Sequence, residues 1–241
     1  MNKSYRTTLM ILMAGKLNNI SLGIPKLDDM LEGGFPENTS VLLYGTPGVG
    51  KSILCQQFMY EGLKNDEKCI FLTFDVRPET IESSMSRFGW ESKNKIVFFD
   101  CFSYRIGTQS SSRYAITGLS DLNQLSMIFE DIMTDVGKEK KRIVIDSLST
   151  LLLYSDLELS LKFIKNFIST AIAQKSTILF TIEEGIHDEK TVAIINYIAE
   201  GQIDMKFEMD KRLMRVSKMR DTAVSRKWVE FDITKKGIVL M

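Results

Sequence analysis

The chain has 241 residues, with 31 Lys+Arg against 31 Asp+Glu, one His, three Cys and 44% apolar residues. That balance excludes the low-hydrophobicity composition that stays disordered and the strongly basic composition that coats nucleic acid, and the length suits one full-size α/β domain. The single histidine, His187, excludes a multi-histidine metal site and leaves a Ser-His-Asp triad only one candidate base.

At the N-terminus, Lys3 and Arg6 precede the apolar run Leu9-Met10-Ile11-Leu12-Met13-Ala14. This run is shorter than the roughly 7 to 15 residues of a signal core and far shorter than the roughly 20 that span a bilayer. Residues 1–19 are therefore expected to be a mobile or lightly docked extension ahead of one domain over residues 20–241. No other run is long and apolar enough for membrane insertion.

From residue 20 onward, short β-rich runs alternate with longer amphipathic ones, the pattern of a largely parallel sheet with helices on both faces. Strands are expected at Val41 to Tyr44, Cys69 to Phe74, Ile96 to Asp100, Arg142 to Asp146 and Thr177 to Ile182. Each is nearly continuously apolar, as strands buried on both faces are. Helices are expected at Ser52 to Lys64, Pro78 to Phe88, Leu122 to Val136 and Asp156 to Gln174. In the last of these Leu157, Leu161, Ile164, Ile168 and Ile172 recur at helical spacing. The Ser- and Gly-rich stretch from Ser103 to Gly118 reads as a long surface loop. Beyond residue 200, Ile203 to Phe207, Leu213 to Met219, Trp228 to Ile233 and Gly237 to Leu240 read as strands of an antiparallel extension. Cys55, Cys69 and Cys101 are odd in number, lack CxxC spacing and sit in apolar runs, the pattern of reduced, buried cysteines in a cytoplasmic protein.

Gly45-Thr46-Pro47-Gly48-Val49-Gly50-Lys51-Ser52 satisfies GxxxxGK[ST], with an apolar strand before it and a helical run after it. Its glycines permit backbone torsions that turn successive N–H groups inward, forming an anion nest at a helix N-terminus. With the following Ile53, this segment is expected to hold ATP. Lys51 would reach the β and γ phosphates, and Ser52 would join the shell of a Mg2+ ion. Asp146 ends an apolar strand at the edge where α/β proteins bind ligands, and would hold the same ion through its water shell. Asp75, just past another strand, is the candidate for orienting the attacking water; the same residue could equally be a carboxylate favouring the dipole of the helix that starts at Pro78. Glu183 and Glu184 follow the strand ending at Ile182. They read either as groups that sense the γ phosphate or bind a neighbour, or as a solvated loop.

The run Gly23-Ile24-Pro25-Lys26-Leu27-Asp28-Asp29-Met30-Leu31-Glu32-Gly33-Gly34-Phe35-Pro36, the phosphate loop, and Phe58-Met59-Tyr60-Glu61-Gly62 together resemble the opening of KaiC-type ATPases of the RecA-like P-loop superfamily. The resemblance continues through Phe74-Asp75-Val76-Arg77-Pro78, Phe88-Gly89-Trp90, Ile145-Asp146-Ser147-Leu148-Ser149 and Lys218-Met219-Arg220. It implies a single RecA-like core that binds ATP at subunit interfaces of a homo-oligomer, often a six-membered ring. It also implies that Lys218 and Arg220 act in trans, clamping charge that develops on the nucleotide of the adjacent subunit; the alternative is a pair of exposed strand charges. Two departures stand out. The family usually carries paired glutamates where this chain has Asp75-Val76, and misalignment of the water there can cost on the order of a hundredfold in rate. Asp221 replaces a frequent glycine, and Val224 stands where some members have histidine.

These residues support a Mg2+-dependent ATPase of slow turnover. Its alternatives are a nucleotide-dependent switch or scaffold with negligible hydrolysis, a recombinase-like DNA-binding protein, and an autokinase using the hydroxyls near Ser103 to Ser112. The stretches Tyr154-Ser155-Asp156-Leu157-Glu158 and Glu183 to Glu189 stand where recombinases bind DNA, and they are acidic. Basic residues concentrate only between Lys206 and Lys227, which argues against a nucleic-acid partner. A protein partner is expected but not identified by any motif.

Overall fold

The computed structural model describes residues 18–92 and 94–241. In chain order the elements are β1 (Asn19–Ile20), α1 (Pro25–Met30), β2 (Phe35–Pro36), β3 (Ser40–Gly45), α2 (Lys51–Lys64), β4 (Lys68–Thr73), α3 (Pro78–Arg87) and β5 (Ile96–Asp100). A 3-10 turn (Ser103–Ile106) leads to β6 (Tyr114–Ala115), α4 (Leu122–Val136), β7 (Lys141–Asp146), α5 (Leu148–Tyr154), α6 (Leu157–Ala173), β8 (Ser176–Glu183) and α7 (Glu189–Ile198). The tail holds β9 (Gly201–Glu208), β10 (Lys211–Met219), β11 (Val229–Thr234) and β12 (Gly237–Leu240).

Ten strands form one sheet in the order β12-β11-β10-β9-β3-β8-β7-β4-β5-β6, while β1 and β2 pair separately. From β9 through β6 all neighbours are parallel, and β9 to β12 run antiparallel. This is the RecA-like α/β architecture with its C-terminal antiparallel extension. Every strand expected from the apolar runs in the parallel block is present within one residue at each end. The reason for continuous apolarity is visible in β3, where Val41 and Leu43 pack on one face of the sheet and Leu42 on the other. One face is covered by α1, α2 and α3 through Leu27, Leu54, Phe58, Ile81 and Met85. The other is covered by α4 to α7 through Phe129, Leu151, Ile164, Phe167 and Ile195.

Helix starts follow local capping chemistry. Asp121 accepts from the N–H groups of Asn123 and Gln124, Asp156 from Leu159 and Asp188 from Thr191, satisfying donors that the first turn leaves open. The helix expected from Asp156 therefore begins one residue later, with Asp156 as its cap.

Some expectations change. The stretch from Ser103 to Gly118 is not simply a surface loop: it contains the 3-10 turn and β6, and Ile116 is buried. The buried Asp100 carboxylate fixes it, accepting from the N–H groups of Phe102 and Ser103 and from the hydroxyls of Ser103 and Ser110. Residues 1–17 of the expected extension lie outside the described residues, while Asn19 starts β1 and pairs with β2. The three cysteines are free and buried. Burial pushes the Cys69 thiol up to about 12 and also raises Cys55 and Cys101. Among the described residues, no helix is long and apolar enough to cross a membrane.

Candidate active site

The carboxyl ends of the parallel strands form the edge that carries the site. Gly45 at the end of β3 is level with Glu183 on β8 and Met205 on β9, and Thr73 on β4 is level with Asp146 on β7. Only glycine fits at position 45, because a Cβ there would lie 2.0 Å from the Met205 carbonyl oxygen. Gly48 and Gly50 have φ of +77° and +120°, torsions that glycine adopts without the penalty a side chain brings. No side chain caps the N-terminus of α2, so the loop delivers open helix-terminal N–H groups to its concave side, the arrangement that binds phosphate. Beneath the loop lies the tail, where Ile233 of β11 would meet a Cβ on Gly50 at 2.9 Å.

Lys51 is buried, and its Nζ donates to Gly45 O at 2.7 Å, Thr46 O at 2.9 Å and Glu183 Oε2 at 2.8 Å. Thr46 Oγ1 donates to Glu184 Oε2 at 2.9 Å, and the Glu184 N–H donates to Gly45 O at 3.0 Å. The two glutamates beyond Ile182 thus both contact the phosphate loop, Glu183 half-buried and Glu184 from an exposed turn.

Asp146 accepts from Thr181 Oγ1 at 2.7 Å and from the Ser52 hydroxyl. Burial raises its carboxyl above the ordinary value; these two hydrogen bonds oppose that rise, and the charges of Asp75 and Glu183 add to it. The chemistry fits a magnesium ion: Ser52 offers a hydroxyl beside one carboxylate, and hard cations of this size take few protein oxygens and complete their shell with phosphate and water. Among the described residues, no group of three or more His, Cys, Asp or Glu able to hold a metal occurs. Asp75 lies two residues beyond β4, exposed, and accepts from the buried Thr150 hydroxyl of α5. Thr150 and Thr181 were missed as site residues. A hydroxyl near the carboxyl end of the apolar run in β8 was the available signal for Thr181.

Lys218 and Arg220 are elsewhere. Lys218 is level with Gln202, near the start of β9, and Arg220 N donates to Glu200 O at 3.1 Å. Because Gly201 is level with Val41 and Met205 with Gly45, both basic residues lie at the opposite end of β3 from the phosphate loop of their own chain.

A profile of the family described as "ATPase: KaiC" matches residues 20–241. The chain belongs to the KaiC ATPase family. UPF0273 protein MJ1359 of Methanocaldococcus jannaschii is 33% identical over 238 residues, covering 93% of this chain and 96% of its own. A UPF0273 protein of Thermotoga maritima is 30% identical over 238 residues, again covering 93% and 96%. The crystal structure of a KaiC-like protein of Pyrococcus horikoshii, PH0186, aligns with a TM-score of 0.75 at 25% identity, over 94% of this chain and 100% of that one. Membership of the KaiC family supports a nucleotide-binding domain of the ATPase class.

Proposed function

We propose that the chain binds Mg-ATP on residues 45–53 and hydrolyses it slowly, as a subunit of a homo-oligomer in which Lys218 and Arg220 face the phosphates held by the next copy. The observation that carries this reading is the convergence of Lys51, Ser52 and Asp146 on one sheet edge, beside a glycine loop with free helix-terminal donors. Lys51 holds the β and γ phosphates after exchanging Glu183 for them. Ser52 and Asp146 hold the metal ion, and Mg2+ when bound neutralises charge on the transferring phosphoryl group. Asp75, oriented by Thr150, aligns the attacking water.

The trans role is supported by position. From Ser40 to Gly45, β3 spans about 17 Å at strand spacing, so the basic pair at its start is out of reach of its own loop and suited to that of another copy. A ring, often of six, is what the family resemblance implies.

One observation favours a second reading, a nucleotide-dependent switch with negligible turnover. Asp75 has the exposed Val76 beside it in place of a second carboxylate. Nucleic-acid binding has less support, because the basic tail is largely neutralised by its own carboxylates: Lys206 pairs with Glu208 along β9 at 2.9 Å, and across strands Lys211 pairs with Glu230 at 2.6 Å and Arg215 with Asp204 at 2.8 Å. Affinity for phosphate backbones needs unneutralised cations.

Nucleotide titration of wild type and Lys51→Ala tests the site. Losing the charge-assisted bonds to two phosphates lowers ATP affinity by about a hundredfold or more; equal affinity would move the binding site away from this loop.

A further inference from the structure

The neighbour-directed basic pair is held in place within its own subunit by the turn between α7 and β9. Lys218 Nζ donates to Asn196 O at 2.6 Å and to Asn196 Oδ1 at 3.0 Å, at the last turn of α7. Arg220 Nη1 donates to Glu200 Oε1, and Arg220 Nε to Asp221 Oδ2 at 3.1 Å. The two carboxylates differ in how they are anchored. Asp221 is an exposed neighbour in a turn, whereas Glu200 is bound to the central strand from two sides. Its Oε2 accepts the Ser40 N–H at 3.2 Å, and its own N–H donates to Ser40 O at 2.9 Å. Ser40 opens β3 and is fully buried, so Glu200 is tied to the central sheet.

The ion pair is asymmetric in exposure: the Glu200 side chain is 25% exposed and that of Arg220 is 54% exposed. One end is fixed and the other projects into solvent. A guanidinium carries five N–H donors, so contacts through Nη1 and Nε leave others directed outward. Exposed ion pairs add little to folding stability. Restricting a long side chain before it meets its target is a different benefit, because the rotamer freedom lost on binding is removed in advance. Glu200 can supply that restriction without blocking the outer donors.

We propose that Glu200 is the positioning residue of the trans-acting arginine: it aims Arg220, from the first residue of β3, at the phosphates of the adjacent copy. The inference rests on the trans reading given above. Glu200 touches no nucleotide in this scheme and acts only through Arg220.

Subunit mixing with full-length chains tests it. Steady-state ATPase of Glu200→Gln is expected to show kcat lowered about tenfold to a hundredfold with KM for ATP changed less than about twofold, since alignment is lost and the phosphate loop is not. The reference mixture is Lys51→Ala with Arg220→Ala, each inactive alone, in which Lys51→Ala subunits lend a normal arginine to the intact loops of the other variant. Glu200→Gln should be rescued by Lys51→Ala and not by Arg220→Ala, and rescue by the first also shows that the variant folds. A wild-type kcat for Glu200→Gln, equal rescue by both partners, or rescue by neither while the reference mixture recovers, overturns the role of Glu200 alone. Failure of the reference mixture overturns the trans reading and this inference with it.

Discussion

Lys51 spends all three ammonium N–H groups inside the protein, on two loop carbonyls and on Glu183, so a nucleotide has to take this lysine from an existing partner. Asp146 sits in the opposite situation, a carboxylate whose charged form burial disfavours. Asp146→Asn keeps an acceptor for Thr181 and removes that charge, so the nucleotide-free variant should be more stable than wild type, the usual sign of a site strained for function. It should also lose the Mg2+-dependent tightening of ATP binding. Unchanged Mg2+ dependence would remove Asp146 from the metal site, and a lower thermal midpoint would show that its buried charge is no net cost to the fold. Asp75→Asn leaves ATP affinity unchanged and lowers kcat on the order of a hundredfold, because only the alignment of water is touched; equal turnover in the two proteins would remove Asp75 from the mechanism. At this scale the sequence was informative where a motif constrains backbone and side chain together. Lys51, Ser52 and Asp146 were legible as candidates for that reason. The Lys51–Glu183 pair was not, because it joins the first residue of α2, which follows β3, to the last residue of β8, and only the sheet order makes β3 and β8 neighbours. Arg142 was hidden too. It reads as a charged strand end, yet it is 1% exposed, donates to Ser21 O at 2.7 Å and Phe58 O at 3.0 Å, and pairs with Glu67 beneath Gly62.

Among the elements, the central strands and long helices were legible because burial on both faces or one face writes a period into the sequence. The short helices α1 and α5 and the segment after β5 carry too few turns to show a period, and tertiary contacts decide them; α7 is as long as α3 but was not read from the sequence. Asp100 decides the segment after β5. Burial pushes its carboxyl up, but the hydrogen bonds from Ser103, Ser110 and Phe102 outweigh that and hold it below the ordinary value of 3.8. A depressed folded-state value means that the stabilisation is present above pH 3.8 and is lost as pH falls through the lower folded value. Asp100→Ala should cost about 2 kcal/mol by stranding buried donors, and should erase the amide-exchange protection of Phe102 and Ser103 while leaving that of β7 intact. Protection unchanged at Phe102 and Ser103 would mean that the segment is held by something other than Asp100.

Across the whole molecule, the sheet separates two functional ends. The carboxyl edge gathers Lys51, Asp146, Glu183 and Asp75, and the amino edge near Ser40 carries Lys218 and Arg220. The antiparallel tail links them, since β11 lies against Gly50 through Ile233 while β10 carries Lys218 and leads directly into Arg220. The expected tail strands are present within two residues at each end, but their relation to the phosphate loop depends on β9 pairing with β3, which no periodicity encodes. On the proposed reading a lone subunit is incomplete as a catalyst, because Lys218 and Arg220 lie at the end of β3 away from its own phosphate loop. Catalysis should therefore depend on assembly. The most direct test is steady-state Mg-ATP hydrolysis per subunit, measured across protein concentrations that span the monomer-to-oligomer transition by light scattering. The rate should rise steeply as oligomers form and collapse in Lys218→Ala and Arg220→Ala at concentrations where assembly persists. A rate per subunit that is flat across the transition, or unaffected by either substitution, would contradict the trans-completed site.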